Sequence, residues 1–219
     1  MLEKMDAFFE ARLEGYDEHM LTEIEGALEF YPFTASLLPS EAHAKVLDLG
    51  CGTGLELEYY FRKNPNASVT GIDLSEGMLK ALAEKLPDQN LTLRQGSYFD
   101  LPLGEHCFDA AVSVESLHHF TQAEKAGLYA KLCRSLKDGG FFILTDYFAQ
   151  TDEQERFFRG ELLRLKAEQG IADTEFYHYD TPLTLAHETE ALIRGGFSSV
   201  EILKNWDATY TLVACKRKE

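Results

Sequence analysis

Short apolar runs alternate with helical patterns over most of the chain. Five apolar runs of strand length lie at 45–49, 68–72, 91–95, 108–114 and 141–147. Between most of them, apolar residues recur at the spacing of an amphipathic helix, at 55–63, 75–86 and 123–136. Strands that alternate with helices favour parallel pairing through right-handed crossovers. The pattern therefore predicts an open α/β sheet.

The two ends of the chain depart from this alternation. Residues 1–38 predict two helices, broken near Gly15 and ended by Pro39. Helical patterns follow the fifth strand at 151–169 and 183–194, and 138–140 (Asp-Gly-Gly) predicts a turn before that strand. The tail has strand patterns at 199–204 and 208–215 around a turn at 205–207, which predicts an antiparallel hairpin.

The composition limits the class of protein. The chain has 219 residues, enough for one α/β domain, and its longest apolar runs fall far short of the roughly 20 residues that span a bilayer. The acidic N-terminus lacks the pattern of a signal peptide. Four scattered cysteines without a C-x-x-C pair predict neither a structural zinc site nor disulfides. We expect a cytoplasmic protein, monomeric or homodimeric, without a membrane partner.

The charge disfavours nucleic acid as a partner. The formal net charge is −16, and such a surface repels phosphate backbones. Residues 1–30 hold nine acids against two bases. This acidity indicates either a solvated helix face or recognition of a cationic substrate.

A glycine-rich loop follows the first strand. Asp48 ends the apolar run, and Gly50, Gly52 and Gly54 then alternate with other residues before a predicted helix. Glycines in such a loop leave room for a ligand against the main chain. The second strand ends in Asp73, about where doubly wound folds place the acid that binds nucleotide ribose hydroxyls.

The spacing of the glycines points to one cofactor. A dinucleotide-binding fingerprint requires glycine where Leu55 stands. The run 48–54 instead resembles the first motif of class I S-adenosylmethionine (SAM)-dependent methyltransferases, most closely the small-molecule enzymes of the ubiquinone-biosynthesis type. Asp73 matches the ribose acid of that family, and Met78 matches its apolar residue near the adenine. Specific motifs cover 41–150, whereas 195–216 agrees by pattern alone.

The resemblance implies a fold. It is a Rossmann-like, doubly wound α/β sheet of seven strands in the order 3-2-1-4-5-7-6, with strand 7 antiparallel. We expect a single methyltransferase domain over 1–219. Its parts are an N-terminal helical lid (1–40), a SAM-binding core (41–150), a helical acceptor-site insertion (151–194) and a C-terminal hairpin (195–219).

The resemblance also implies SAM as cofactor and S-adenosylhomocysteine as product. Ser97 departs from the family, which often has an aspartate there for the adenine amino group. Tyr16 and His19 share one helical face, which either covers the cofactor or packs in the core. The expected cofactor-binding residues are Tyr16, His19, Asp48, Gly50, Cys51, Gly52, Thr53, Gly54, Asp73, Leu74, Met78, Gly96, Ser97, Tyr98, Val114 and Glu115.

The acceptor side is less defined. His118 and His119 follow the fourth strand, where the family commonly carries a similar pair that is either structural or faces the site. With Tyr147 they are the candidates for a catalytic base or an orienting group, and no metal ligands are expected. Six aromatic or histidine side chains predict an acceptor pocket in 151–190: Phe157, Phe158, Phe176, Tyr177, His178 and Tyr179.

The expected function is methyl transfer from SAM to a small-molecule acceptor. Two alternatives remain open: a non-catalytic SAM-binding or regulatory protein of the same fold, and an enzyme that modifies SAM itself. The second would favour a basic residue near the methyl group, and the predicted strand ends supply none. A nicotinamide oxidoreductase is disfavoured by the glycine spacing and the hairpin.

Overall fold

The computed structural model describes residues 1–172 and 175–218. In that part of the chain, one sheet has seven strands in the order β3-β2-β1-β4-β5-β7-β6. The strands are β1 (Lys45–Leu49), β2 (Ser68–Asp73), β3 (Asn90–Gln95), β4 (Phe108–Val114), β5 (Leu136–Tyr147), β6 (Ser199–Trp206) and β7 (Thr209–Cys215). Strands β1 to β5 pair in parallel, and β7 pairs antiparallel with both β5 and β6. The predicted strand order and antiparallel hairpin are confirmed.

Helices cover both faces of the sheet. The helices in the described residues are α1 (Met5–Glu10), α2 (Tyr16–Glu23), α3 (Ala27–Leu37), α4 (Leu55–Lys63), α5 (Glu76–Lys85), α6 (Gln122–Ser135), α7 (Asp152–Gln169) and α8 (Leu185–Arg194). Side chains alternate across each strand, so Val46 packs with α3 and α4, whereas Leu47 packs with α6 and α8 on the other face. Two buried cores result, one on each side of the sheet.

The N-terminal segment differs from its prediction, because it forms three helices rather than two. The break near Gly15 is present, but the backbone becomes extended again at Ile24, with ψ 118°. Gly26 then precedes α3, and Trp206 of the hairpin packs against it so closely that a Cβ there would lie 2.5 Å from the Trp206 Cβ. This contact comes from a residue at the other end of the chain, so the local pattern could not predict it.

Two predicted turns also shift. Strand β5 begins at Leu136, and the predicted turn at 138–140 is an irregularity inside it: Phe108 pairs with Leu136, and Ala110 then pairs with Phe141. In the hairpin, the turn lies at 207–208, because residues 205 and 206 still belong to β6. Within the described residues, no helix is both long and apolar enough to cross a membrane.

Candidate functional site

The carboxyl ends of β1, β2 and β4 form the floor of a narrow cleft, here called the inner cleft. It is lined by Met5, Phe9, Tyr16, Gly50, Gly52, Asp73, Leu74, Met78, Tyr98, Val114, Glu115, Ser116, His119 and Phe120. The cleft continues along the glycine loop, past Tyr31, Cys51, Thr53, Gly54, Leu55 and Glu56. Ligands of open α/β sheets bind at this edge, so the cleft lies where this fold is expected to bind a ligand.

The loop glycines serve different purposes. A Cβ on Gly50 would lie 2.0 Å from the Ser116 hydroxyl oxygen, so Gly50 allows the segment that follows β4 to approach the loop. Gly52 has φ 47°, and a Cβ there would meet no atom within 4 Å. The space beside Gly52 therefore belongs to the cleft rather than to the packed core, which leaves room for a ligand against the main chain.

Asp73 ties the glycine loop to β2. One of its carboxylate oxygens accepts the Gly52 N–H at 2.9 Å, and the other accepts the Ser75 N–H at 2.9 Å. Burial raises the pKa of Asp73, while these backbone hydrogen bonds oppose the shift. The side chain is thereby held in the wall of the cleft, where its remaining lone pairs can accept ligand hydroxyls.

Two acids lie behind the loop without a cationic partner. Asp48 is fully buried, and both of its carboxylate oxygens lack a hydrogen-bond partner within the described structure. Glu56, at the start of α4, is 4% exposed. Burial raises the pKa of both groups, and the neighbouring charge of Glu56 adds to the shift of Asp48. Buried carboxylates of this kind fit a cationic ligand group.

A larger cavity of about 670 Å³, here called the outer chamber, adjoins the inner cleft. The two share Phe9, Tyr16, Glu115 and His119 as common wall residues. The outer chamber is lined by Phe8, Phe9, Ala11, Arg12, Glu14, Gly15, Tyr16, His19, Met20, Ile24, Glu115, His118, His119, Tyr147, His178, Asp180 and Thr209. The inner cleft is much narrower, at about 50 Å³, so the outer chamber provides most of the open space at this edge of the sheet.

Two histidines and two aspartates form a polar cluster on the chamber wall. His118 Nδ1 lies 2.6 Å from Asp146 Oδ1, and Asp146 Oδ2 accepts the Leu117 N–H at 2.9 Å. On the other side, Asp180 Oδ1 lies 3.5 Å from His118 Nε2 and 3.3 Å from His119 Nδ1. Sequence analysis did not identify Asp146 or Asp180, because each approaches the histidines from a distant segment.

The two histidines carry different charges. Burial alone would lower the pKa of His118, but the carboxylates of Asp146 and Asp180 raise it well above its usual range. Burial would raise the pKa of Asp146 and of Asp180, but the adjacent histidines lower both. Burial and the charge of His118 lower the pKa of His119. His118 is therefore an imidazolium and His119 a neutral imidazole at neutral pH.

Glu115 lies between the two cavities in an unusual backbone conformation, with φ 48°. Its Oε1 accepts the Thr209 hydroxyl at 3.1 Å. Burial, together with the negative charge of Asp146, raises the pKa of Glu115 to about 8. The side chain therefore keeps its proton at neutral pH and can donate a hydrogen bond.

Acidic side chains attach the N-terminal helices to the core. Glu10 of α1 accepts the Ser75 hydroxyl at 2.6 Å and the Gly77 N–H at 3.1 Å, at the N-terminus of α5. Asp17 of α2 accepts hydrogen bonds from Thr53 and Lys85. Neither contact was predicted, and the acidity of residues 1–30 was their only signal in the sequence.

Most of the predicted cofactor residues line the inner cleft, but four do not. Asp48 lies behind the loop, and His19 lines the outer chamber. Gly96 and Ser97 are not among the described residues that line either cavity, and the Ser97 hydroxyl accepts the Phe99 N–H at 3.1 Å.

The candidates on the acceptor side converge only in part. His118, His119 and Tyr147 all line the outer chamber. Of the six side chains predicted to form an aromatic pocket, His178 lines the chamber, whereas Phe157 is 62% exposed. The chamber takes its other aromatic rings from Tyr147 and from the N-terminal segment, as Phe8, Phe9 and Tyr16.

Comparison with known proteins agrees with this geometry. Residues 46–140, which contain the glycine loop, Asp73 and the end of β4, match the model of a methyltransferase domain family. The chain belongs to the class I SAM-dependent methyltransferases. Its membership of the ubiquinone-biosynthesis branch stays a prediction.

Individual methyltransferases resemble the chain to different extents. An uncharacterized methyltransferase from Geobacillus sp. (strain WCH70) is 29% identical over 198 residues, which cover 90% of this chain and 88% of the relative. A fatty-acid O-methyltransferase from Mycolicibacterium smegmatis is 29% identical over 147 residues, and the match spans 66% of this chain but only 53% of the relative.

A solved structure agrees with the fold. A proposed O-methyltransferase from Nostoc punctiforme PCC 73102 superposes with a TM-score of 0.72 at 20% identity, covering 99% of this chain and 62% of that one. At this identity the likeness supports the methyltransferase fold and carries no information about the acceptor.

Proposed function

We propose that this methyltransferase transfers the methyl group of SAM to a small-molecule acceptor and leaves S-adenosylhomocysteine. The observation that carries the proposal is the outer chamber, which meets the inner cleft at four shared wall residues. Its volume of about 670 Å³ lies within the ~300–1,000 Å³ typical of small-molecule pockets. An acceptor in the chamber would lie next to a cofactor in the cleft.

The residues of the inner cleft fit SAM. Glu56, which lines the cleft along the glycine loop, suits the cationic amino group of the methionine part, and the buried acid Asp48 behind the loop adds to the negative charge there. The open space beside Gly52 admits a ligand against the loop, and Asp73 offers acceptors for the ribose hydroxyls. Met78 supplies an apolar surface for the adenine. These assignments are part of the proposal.

SAM supplies a methyl group already activated by its sulfonium, so the protein chiefly aligns the reactants and excludes water. Phe9 and Tyr16 of the lid stand between the two cavities and close the site from above. The face of a tyrosine ring attracts a cation, which suits Tyr16 to the sulfonium end. Burial raises the pKa of the Tyr16 hydroxyl, so the side chain stays neutral.

On the acceptor side, His118, His119 and Tyr147 orient the acceptor. Asp146 fixes His118 by a 2.6 Å hydrogen bond, which keeps its ring in one orientation. His119 reaches the shared wall of both cavities, so it lies nearest to the transferred methyl group of the three. The lid rings offer apolar contact to the body of the acceptor.

The geometry also bears on an enzyme that modifies SAM itself. Such chemistry favours a free basic side chain at the methyl group, to bind a carboxylate. Arg12 lines the outer chamber, but it donates to both carboxylate oxygens of Glu3 at 3.1 and 3.2 Å and lies over the ring of Phe8. Because Arg12 is engaged in this way, methyl transfer remains the better proposal.

Calorimetric titration with SAM, and separately with NADH, tests the cofactor assignment. We expect micromolar binding of SAM and no response to NADH. Small hydroxyl, amine and thiol compounds are then screened with methyl-labelled SAM. Transfer of label to one of them supports the proposal. Tight SAM binding without transfer to any acceptor class would favour the non-catalytic alternative, and absence of SAM binding would contradict both.

Two variants test the residues of the cleft. Asp73→Ala removes the ribose acceptor and should weaken SAM binding several-fold or more. Gly52→Val fills the open space beside the loop and should abolish binding. Gly127→Ala is the control, because a Cβ there meets no atom within 4 Å on a helix away from the cleft. Wild-type SAM affinity in a folded Gly52→Val variant would refute the loop assignment.

A further inference from the structure

Three potential metal ligands meet on the wall of the outer chamber. They belong to His118, His119 and Asp180, which each offer one ligand atom within 4.8 Å of the other two. The nitrogens next to Asp180 Oδ1 are His118 Nε2 and His119 Nδ1. The carboxylate oxygen is 3.5 Å from the first nitrogen and 3.3 Å from the second. His118 and His119 are buried, whereas the Asp180 side chain is 48% exposed and faces the chamber.

The two nitrogen–oxygen separations are those of atoms that share one metal ion. Two ligands bound at about 2.0–2.1 Å in a tetrahedral site lie roughly 3.3 Å apart. Two histidines and one carboxylate are a common ligand set of catalytic zinc sites and of non-haem iron sites, which keep further positions open. The observed distances therefore fit an ion with little movement of the side chains.

A carboxylate supports the cluster from behind. His118 uses its other nitrogen, Nδ1, to bond Asp146 at 2.6 Å. Metal-bound histidines commonly make such a bond, which fixes the ring and the tautomer. The distance is too short for an ion between the two atoms. Asp146 is therefore a supporting residue. Glu115, His118 and Asp146 form a second set of neighbouring potential ligands, but the short bond between His118 and Asp146 leaves no room for a metal ion there.

We propose that His118, His119 and Asp180 bind one divalent transition-metal ion at the wall of the outer chamber. Imidazole ligands suit zinc, iron or cobalt, whereas magnesium and calcium prefer oxygen ligands throughout. The charge balances, because Asp146 and Asp180 together offset a divalent cation. On binding, His118 releases its Nε2 proton to solvent and His119 carries its proton on Nε2, so that His118 Nε2 and His119 Nδ1 are free to ligate. The metal bonds replace the contact of His119 with the Tyr179 carbonyl at 3.3 Å and the ion pair of His118 with Asp180.

If the proposed methyl transfer is correct, the position of the ion suits it to bind the acceptor. Asp180 and His118 line the outer chamber but not the inner cleft, so the open coordination positions face the acceptor and not the cofactor. An ion there binds an oxygen of the acceptor and holds it in place. The acceptor class is therefore a hydroxyl or carboxyl compound.

The sequence did not predict this site, and we expected no metal ligands. His118 and His119 are adjacent in the sequence, and a pair of adjacent histidines is not a recognised metal-ligand spacing. Asp180 lies in the loop between α7 and α8, and the hydrogen bond from the Thr181 N–H to the His118 carbonyl, at 2.9 Å, brings this loop to the histidines. Only the fold joins the two segments.

The test is direct metal binding by the full chain after removal of metals with a chelator. Calorimetry with Zn²⁺ and visible absorption with Co²⁺ should show one site per chain, whereas Mg²⁺ should not compete. Asp180→Ala and His119→Gln should each weaken Co²⁺ binding at least tenfold and change the absorption bands. Asp146→Asn should weaken it by roughly 10–100-fold, as loss of a supporting carboxylate does.

His187→Gln is the matched control, since this histidine also bonds a carboxylate, Glu155 at 2.8 Å, but lies outside the chamber lining. It should bind Co²⁺ like the wild type. No site in the wild type, or full affinity in Asp180→Ala, would overturn the proposal. SAM affinity is measured in parallel: a chain that binds Co²⁺ but not SAM retains the metal site and contradicts only the proposed function.

Discussion

A substitution of the buried acid Asp48 measures what one carboxylate contributes to SAM binding and to stability. Its carboxylate has no hydrogen-bond partner within the described structure, and a charge-assisted bond to a ligand amine is worth about 1.5–3 kcal/mol. We expect Asp48→Asn to weaken SAM binding about tenfold or more. The melting temperature should stay the same or rise, because an unpaired buried acid is removed. Titration and scanning calorimetry measure the two effects.

Asp109→Asn is the control for this variant. Asp109 lies at the start of β4, on the edge of the sheet opposite the cleft, where it bonds the Lys45 N–H and the Lys137 ammonium. It should lower the melting temperature and leave SAM affinity unchanged. Equal SAM affinity in both variants would mean that Asp48 does not contribute to binding.

The same acids predict a pH dependence. Burial raises the pKa of Asp48 and of Glu56 in the folded protein. Between the unfolded and the folded pKa values, the ligand-free folded protein therefore holds a proton that the unfolded chain has released. Their contribution to stability is therefore present below about pH 4 and is lost as the pH rises through the raised folded values. A cationic ligand favours the ionised pair, so SAM affinity should increase with pH over that range. Calorimetry in buffers of different ionisation enthalpy should show proton release on binding, and no release would contradict the assignment.

The sequence predicted those side chains that a contiguous motif carries, and missed those that the fold assembles. Asp48 and Asp73 were found because strand ends and glycine spacing mark them. Asp146, Asp180 and Glu10 were missed because each reaches the site from a segment with no motif of its own. Their positions depend on strand order and on loop packing, which no local pattern records.

Helices and strands were predictable to different degrees along the chain. The bounds of β1, α4 and β4 agree with the sequence pattern, because apolar periodicity marks these elements and the glycine loop separates β1 from α4. Ser75 caps the start of α5, since its hydroxyl accepts the Met78 N–H at 3.0 Å. The N-terminal helices were less predictable, because the break before α3 lies against Trp206 of the hairpin, which the local pattern does not record.

The attachment of α2 to the core yields a prediction for the lid. Asp17 accepts hydrogen bonds from Thr53, in the glycine loop, and from Lys85, at the end of α5. Asp17→Asn removes the charge and should loosen the lid, so SAM should dissociate several-fold faster. Hydrogen exchange should show lower protection of the amides of α2, with the central strands unchanged.

Asp6→Asn serves as the control for the lid variant. Asp6 is another acid of the lid, but it accepts only the neighbouring Ala7 N–H, at 2.8 Å, and lies exposed. Its substitution should leave SAM dissociation and α2 protection as in the wild type. If Asp17→Asn behaves in the same way as Asp6→Asn, the contacts of Asp17 do not hold the lid closed.

Across the molecule as a whole, negative charge surrounds a site that is proposed to bind a cation. The formal net charge is −16, and the carboxylates of Glu14 and Asp180 line the outer chamber. Such a field attracts the sulfonium of SAM over distances beyond direct contact and is screened by salt, with a Debye length of about 8 Å at physiological ionic strength.

SAM affinity should therefore fall as salt is raised from low to physiological concentration. S-adenosylhomocysteine shares every part of SAM except the methyl group and the sulfonium charge, so its affinity should fall less. Titration of both ligands over a potassium chloride series measures the difference between the two slopes. Equal slopes would show that the charge of the whole molecule does not act on the sulfonium, and that any preference for SAM over its product arises from direct contacts in the inner cleft.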